Sequence, residues 1–172
     1  MLLHTQRLEL QVLNMSHAEQ MYAYRSDADT NRFQGWIPHS LEEVQAFIKK
    51  QPKTFNLPDT WFQMGIFLRT ENRLIGDLGI HFVSQEKLEL GITIAKDYQQ
   101  QGFAREAFGA IIDFAFTEVG KKSIHASIDP ENIASRQLLL SLGFQKAGYA
   151  AKSLFLRGKW RDDEQYTLLF KG

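Results

Sequence analysis

The sequence predicts a chain of the α+β class, in which strands in direct succession are combined with amphipathic helices. Three runs between residues 61 and 95 are rich in β-branched and aromatic residues and are separated only by short polar turns, as in an antiparallel meander. From Phe103 to about Glu118 the apolar residues instead recur every three or four positions, which is the spacing of one helical face. A chain of 172 residues that is 44% hydrophobic can bury one core, so we expect a single domain over 1–172.

The first fifty residues predict one strand and two helices. Residues 5–13 alternate apolar and polar side chains, which is the period of a half-buried strand. Ser16 follows, and we expect its hydroxyl to cap the first helix by accepting an unpaired backbone N–H. A second helix is expected at about 41–50, because Ser40 and Glu43 have the spacing of a capping box.

Beyond the long helix the sequence predicts a strand, a short helix and a hairpin. The strand is expected at 123–128, and the helix from about 131 to 142. Gly143 suits the position after a helix because glycine tolerates a positive φ. The remaining residues are expected to form two antiparallel strands, at about 144–156 and 160–170, joined by a tight turn.

The composition argues against several classes of function. The formal net charge is +0, with 20 basic and 20 acidic residues, so a basic field for nucleic-acid binding is not expected. Cysteine is absent, which excludes disulfides, thiolate metal sites and an acyl-cysteine intermediate. The five histidines are scattered and none are four residues apart, so no metal site is expected. No apolar run approaches the length of a membrane span, and we expect the protein in the cytoplasm without membrane contact.

The turn before the long helix predicts a site for an anion. A strand that ends near Ala95 gives way to a glycine-containing turn and then to the helix. The first turn of a helix carries free backbone N–H groups and the positive end of the helix dipole. Gly102 leaves that backbone uncovered, and Ala104 keeps the first helical turn thin.

The same turn carries a family resemblance. Residues 99–104, "QQQGFA", match the pattern (Gln/Arg)-x-x-Gly-x-(Gly/Ala), which resembles the pyrophosphate motif of the GNAT superfamily of acyl-CoA-dependent N-acyltransferases. The later segment "DPENIASRQLLLSLGF" is similar to the part of that family that carries Asn, Ser and a terminal Leu-Gly-Phe. The segments "TQRLEL" and "GKWRDDEQYTLL" resemble the RimJ/RimL branch, which includes ribosomal-protein N-terminal acetyltransferases. The resemblance thus covers Thr5 to Leu169.

The resemblance implies a fold and a co-substrate. It implies a mixed, mostly antiparallel sheet of six or seven strands, flanked by about four helices. This sheet would be splayed into a V between the strand that ends near Ala95 and the strand at 123–128. Acetyl-CoA would enter the V and donate its acetyl group to a primary amine. The protein itself would be a monomer or a homodimer. The residues implied to contact the cofactor are Ile92, Ile94, Gln99, Gln100, Gln101, Gly102, Phe103, Ala104, Asn132 and Ser135.

Glu89 is the candidate general base. An alkylamine is protonated at neutral pH, so transfer of an acetyl group to it requires removal of a proton. The alternation of Leu88 and Leu90 buries one face of the strand and leaves Glu89 on the other, where glutamates of the resembling family often act. An ordinary solvent-facing glutamate is the alternative. His125 on the later strand is more simply a packing or exposed histidine.

Asn132 and Ser135 share one face of the short helix, because they are three residues apart. Asn132 is either a CoA-contacting amide or a helix cap. Many members of the family that this sequence resembles have a tyrosine seven residues after this asparagine, which donates a proton to the thiolate. In this sequence that position is Leu139. Ser135 is then the candidate donor, with a packing serine as the alternative.

The acceptor is left open by the sequence. Phe33, Trp36 and Trp61 could line its pocket, although aromatic residues near loops are usually packing residues. The RimJ/RimL resemblance favours a protein or peptide N-terminus, while polyamines, amino acids and amine antibiotics remain alternatives because acceptor loops vary on one scaffold. A catalytically silent acyl-CoA-binding module is the alternative from a different class.

Overall fold

The computed structural model describes residues 1–172 and confirms the α+β class. The strands are β1 (Leu2–His4), β2 (Leu8–Val12), β3 (Thr60–Leu68), β4 (Arg73–Phe82), β5 (Lys87–Ile94), β6 (Ser123–Ile128), β7 (Gln145–Leu156) and β8 (Lys159–Leu169). The helices are α1 (Ala18–Arg25), α2 (Leu41–Lys49), α3 (Phe103–Thr117) and α4 (Ile133–Ser141). All the strands form one mixed sheet in the order β1-β2-β3-β4-β5-β6-β8-β7. None of the helices combines the length and apolar character that crossing a bilayer requires.

The sheet is antiparallel except between β5 and β6, which confirms both the meander and the splayed V. The parallel pairing extends only over Lys87↔Ser123, Leu88↔Ile124 and Glu89↔His125. From that point β5 pairs only with β4, and β6 pairs only with β8. The two parallel strands therefore part after Glu89 and leave an opening toward their carboxyl ends.

Two apolar cores hold helices on opposite faces of the sheet. The larger core packs α3 and α4 against the central strands, with Phe108, Ile111 and Leu139 among its members. The smaller core packs Met21 of α1 and Val44 of α2 against residues of β3 and β4. The face that carries α1 and α2 is therefore distinct from the face that carries α3 and α4.

The N-terminus differs from the sequence prediction in two ways. The sheet has eight strands rather than six or seven, because the three residues Leu2–His4 form an additional edge strand. Ser16 does not cap the first helix. α1 begins at Ala18 without a side-chain cap. Asn14 instead caps a short 3₁₀ turn at Met15–His17 that leads into α1, since its Oδ1 accepts the Ser16 backbone N–H at 2.9 Å. Both Asn and Ser are good caps, so residue type did not reveal that a capped 3₁₀ turn precedes the helix.

The other helix ends follow the predictions more closely. Ser40 caps α2 by accepting the Glu43 backbone N–H at 3.2 Å. The reciprocal bond of a capping box is displaced by one residue, because the Glu43 carboxylate accepts the backbone N–H of His39 at 3.0 Å. Gly143 has a φ of 89° after α4, the left-handed conformation that glycine favours.

A buried ionic cluster fixes α1 to the sheet. The Asp77 carboxylate of β4 is fully buried, and its oxygens lie 2.5 Å and 3.0 Å from two nitrogens of the Arg25 guanidinium. The Tyr24 hydroxyl donates to the same carboxylate at 2.6 Å, and the Gln63 amide donates as well. Burial, followed by the charge of Asp77, raises the pKa of Tyr24 well above its usual value. The phenol therefore stays protonated and serves as a donor.

Replacing Asp77 should destabilise the protein strongly. Asp77→Ala leaves the Arg25 guanidinium buried without its carboxylate, and breaking a buried pair in this way costs about 3–5 kcal/mol. Urea denaturation followed by circular dichroism measures the change. Glu71→Ala, which removes an exposed ion pair with Arg73, is the control and should cost about 1 kcal/mol or less. Equal effects of the two substitutions would contradict the structural role of the cluster.

Candidate active site

The opening between β5 and β6 forms a cleft whose two sides belong to opposite faces of the sheet. Its empty volume is ≈ 590 Å³ including the mouth, which is the size of small-molecule sites. The loop after α1 contributes Phe33 and Gln34, and α4 contributes Asn132 and Ser135. The Gln34 amide reaches the Ile92 carbonyl at 3.4 Å, so the backbone of Ile92 faces the opening.

The turn before α3 presents a row of unpaired backbone donors. Gln100 and Gly102 have φ values of 59° and 81°, which bend the chain so that α3 begins at Phe103 without a side-chain cap. None of the backbone N–H groups from Gln100 to Arg105 donates to a protein acceptor. A run of unpaired donors at the positive end of the α3 dipole is what an anion site requires.

The side chains of this turn hold its shape. The Gln99 amide donates to the Ile94 carbonyl at 2.9 Å, and the Gln101 amide donates to the Asp97 carbonyl at 2.9 Å. Ile94 itself is buried in the larger core, so its backbone rather than its side chain lies beside the turn. In this structure the side chains of Gln99 and Gln101 are therefore structural, and the backbone provides the free donors.

Arg7 is a feature of the site that sequence reasoning missed. Its guanidinium donates to the Gln101 carbonyl at 3.0 Å, pairs with Glu106 at 2.7 Å and lies 4.3 Å over the Phe103 ring. Burial alone would raise the pKa of Glu106, but hydrogen bonds from Thr5 and Arg7 outweigh it and hold that pKa below its usual value. The Arg7–Glu106 ion pair thus holds the segment before β2 against the first turn of α3.

Asn132 and Ser135 both line the cleft, as the sequence predicts. Asn132 is also the cap of α4, because its Oδ1 accepts the Ser135 backbone N–H at 3.2 Å. Capping uses only the amide oxygen, so it does not engage the amide N–H₂ group. Leu139 lies one turn further along the helix, is 1% exposed, and lines the cleft where the resembling family often has tyrosine.

A second feature missed from the sequence clamps α4 to β8. Two nitrogens of Arg136 each lie 3.1 Å from a different oxygen of Glu164, and one of them also donates to the Pro130 carbonyl at 2.7 Å. Burial would raise the pKa of Glu164, but donors on Lys146, Tyr166 and Arg136 hold it below its usual value. The charged pair thereby fixes the helix turn that presents Ser135.

Glu89 lies at the fork of the V, at the last position where β5 and β6 pair. Its carboxylate is 3.3 Å from Nδ1 of His81 on β4, and the His81 ring stacks on Trp61 at 4.7 Å. Strand alternation places His81 and Glu89 on the face that carries α1 and α2. His125 of β6 pairs with Glu89 on the other side. Burial, followed by the positive charge of Lys87, lowers the pKa of His125, while the negative charge of Glu89 acts to raise it.

The three aromatic residues that were predicted to line the acceptor pocket lie in different parts of the structure. Phe33 lines the cleft. Trp36 instead stacks on Phe47 of α2 at 4.7 Å and belongs to the packing of the smaller core. Trp61 is 51% exposed and stacks on His81, away from the residues that line the cleft. No three His, Asp or Glu side chains gather in a way that could hold a metal ion.

Comparisons with known proteins agree with this geometry. The model of the acetyltransferase (GNAT) domain family matches residues 7–145. An uncharacterized N-acetyltransferase of Bacillus subtilis, YnaD, is 28% identical over 169 residues, which are 96% of this chain and 95% of that protein. The [ribosomal protein uS5]-alanine N-acetyltransferase of Escherichia coli is 32% identical over 111 residues, which are 63% of this chain and 57% of that protein.

Solved structures give the same fold. The spermidine N-acetyltransferase of Vibrio cholerae, crystallised with CoA and spermine, superposes with a TM-score of 0.82 over 96% of each chain. Its sequence identity is 19%, so this likeness concerns the fold alone. The family match covers most of the chain and includes the turn before α3, most of the residues that line the cleft, and α4. The chain therefore belongs to the GNAT family of acetyltransferases, as the motif at residues 99–104 predicts.

Proposed function

We propose that the protein transfers the acetyl group of acetyl-CoA directly to a primary amine, and that this amine is the N-terminus of a protein or peptide. The unpaired N–H groups from Gln100 to Arg105, at the mouth of the V, support the proposal most directly. They fit a pyrophosphate, which accepts hydrogen bonds from such donors and is favoured by the positive end of the α3 dipole. CoA would extend from this turn along the open edge of β5 toward Ser135.

Two side chains would supply the chemistry of the proposed transfer. Ser135 lines the cleft, whereas Glu89 lies next to its lining residue Leu90, where β5 and β6 separate. The Glu89 carboxylate, at the fork of the V, would accept the proton that the amine loses, directly or through water, with His81 holding it in place at 3.3 Å. The Ser135 hydroxyl, on the other face of the opening, would donate a hydrogen bond to the departing sulfur. A base and a donor on opposite sides of the thioester suit direct transfer without a covalent intermediate.

The lower pKa of α-amines, compared with alkylamines, favours an N-terminal amine as the acceptor. At pH 7 about one alkylamine molecule in 2,500 is neutral, whereas roughly a tenth of α-amines are neutral. A single carboxylate base can therefore deprotonate an α-amine more easily than the side chain of a lysine or a polyamine. The relation to the uS5-alanine N-acetyltransferase points to the same acceptor class.

Leu139 favours a second candidate function, a catalytically silent acyl-CoA-binding module. Its buried side chain occupies the cleft position where a phenol would otherwise donate a proton. Incubation with acetyl-CoA and a panel of amines separates the two functions. An acetyltransferase releases free CoA in the presence of its acceptor, and a silent module does not.

Gly102→Glu should abolish binding of acetyl-CoA. A Cβ at this position would lie 3.3 Å from Arg7 Nη2, in a backbone conformation of φ 81°, and the carboxylate would occupy the place proposed for pyrophosphate. Calorimetric titration and the rise in melting temperature with acetyl-CoA measure binding. Gly109→Glu, which introduces the same charge into α3 where a Cβ meets no neighbour within 4 Å, is the control. A folded Gly102→Glu protein with normal affinity would place the cofactor elsewhere.

Glu89→Gln should lower the rate most at neutral pH. At higher pH more of the acceptor amine is already neutral, so part of the lost rate should return as the pH rises. The pH profile of kcat/KM with one peptide acceptor tests this expectation. Glu86→Gln, at an exposed residue of the turn before β5, is the control and should keep the wild-type profile. A Glu89→Gln profile of unchanged shape would count against the base.

Ser135→Ala should lower kcat by about 10- to 100-fold. A thiol with a pKa around 8.5 is a fair leaving group, so this donor has less to stabilise than an oxyanion-hole donor, whose loss costs roughly 10²–10³ in rate. KM for acetyl-CoA should change little, because the bond strengthens as charge develops on sulfur. Ser141→Ala on the same helix is the control, since that hydroxyl donates to the Leu138 carbonyl at 2.7 Å. A wild-type kcat for Ser135→Ala, where chemistry limits turnover, would remove Ser135 from the mechanism.

A further inference from the structure

A second pocket, here called the basic pocket, lies beside the cleft. Its empty volume is ≈ 500 Å³. It shares Phe33, Asp129 and Leu156 with the cleft, so the two spaces are adjacent. The residues that line it are Arg32, Phe33, Asp129, Leu156, Arg157, Lys159 and Arg161.

Contacts between two distant segments build the walls of the basic pocket. The Arg157 guanidinium, at the tip of the β7–β8 hairpin, donates to the Arg32 carbonyl in the loop that joins α1 to α2. A Cβ on Gly35 of that loop would lie 3.2 Å from Leu156, so the segments touch there as well. The Arg32 guanidinium lies 4.4 Å over the Phe33 ring. The shape of the pocket is therefore fixed by contacts between the loop after α1 and the β7–β8 hairpin.

The positive charge of the basic pocket is largely uncompensated. Four cations line it, and Asp129 is its single carboxylate. That carboxylate lies 2.6 Å from Arg161, which also pairs with Glu131 at 2.9 Å. Arg32, Arg157 and Lys159 take part in no ion pair. Three cations at the end of a cleft attract an anionic group and repel a cationic one.

The basic pocket lies apart from the place proposed for the cofactor phosphates. Residues 99–105, which form the proposed anion site at the start of α3, do not line it. The loop after α1 and the hairpin tip form most of its lining, together with Asp129 and Arg161 near the start of α4. A molecule in the basic pocket would therefore lie beside the cleft without occupying the place proposed for pyrophosphate, as part of an acceptor could.

We infer that the acceptor carries an anionic group, a carboxylate or a phosphate, a short distance from its amine, and that Arg32, Arg157 and Lys159 bind this group. The inference rests on the proposed acetyl transfer and names the acceptor more closely. The amine would pass Phe33 into the cleft while the anion stays in the basic pocket. A polyamine would place its additional positive charges against the same three cations, so it is disfavoured.

Acetyl transfer to acceptors that differ only in charge tests the inference. The acceptors are C-terminally amidated peptides that begin Ser-Asp, Ser-Asn or Ser-Lys, and free CoA is the readout. We expect kcat/KM to be about tenfold higher for the acidic peptide than for the neutral one, and lower still for the basic one. Free aspartate and phosphoethanolamine show whether a small carboxylate or a phosphate serves as the anion, and spermidine represents polyamines. The preference should weaken as salt rises, because exposed charges are screened.

Charge reversal in the basic pocket should remove the preference. The double variant Arg157→Glu, Lys159→Glu should invert the order of the three peptides, and Arg157→Gln, Lys159→Gln should flatten it. Lys49→Glu, Lys50→Glu changes the net charge by the same amount at exposed positions of α2 and its end, and should keep the wild-type order. The affinity for acetyl-CoA should stay within about twofold in all of these variants, by calorimetry.

The possible outcomes separate the inference from the proposed function. If the wild-type protein acetylates none of the amines, the proposed function fails and the inference fails with it. If it acetylates acidic, neutral and basic acceptors equally, or prefers spermidine, the function stands and the inference is overturned. If reversal of Arg157 and Lys159 weakens acetyl-CoA binding about as much as it lowers kcat/KM, the pocket binds a cofactor phosphate, which also overturns the inference.

Discussion

The early parting of β5 from β6 is the constraint on which the rest of the site depends. Since only Lys87 to Glu89 pair with β6, the edges beyond them carry backbone groups that must find other partners. Gln34 reaches the Ile92 carbonyl and Gln99 reaches the Ile94 carbonyl. These side chains satisfy part of the exposed edge of β5, and the rest remains available to a ligand. The opening is thus a polar strand edge that a linear molecule with amide groups can complete.

Rigid elements on both faces hold this opening. Phe108 of α3 and Leu139 of α4 line its floor and belong to the larger core. The Arg136–Glu164 pair fixes the start of α4, and on the opposite face the Asp77 cluster fixes α1 to β4. Each wall is thus held by its own buried or partly buried contacts, and the start of α3 is held in addition by the Arg7–Glu106 pair.

The local parts of this structure could be predicted from the sequence, and the long-range parts could not. The meander and α3 extend over enough residues for their hydrophobic period to be visible. The strand Leu2–His4 is too short to show a period, and Asn14 and Ser16 are equally good caps, so residue type could not choose between them. Arg7 and Glu106 are 99 residues apart, and no spacing rule connects them. The V itself followed from family resemblance rather than from the pattern of residues.

The net charge of the chain likewise does not predict where charged side chains gather in the fold. A net charge of +0 argues against an extended basic surface, but it sums over the whole chain and hides local separation. Arg32 and Arg157 meet across 125 residues of sequence, and their meeting creates a basic pocket that composition cannot reveal. The two anion-attracting places also differ in kind. Backbone N–H groups form the one at α3, so most side-chain substitutions leave it intact, whereas the basic pocket is made of side chains that single substitutions can replace. On such a scaffold the acceptor can change while the cofactor site is kept.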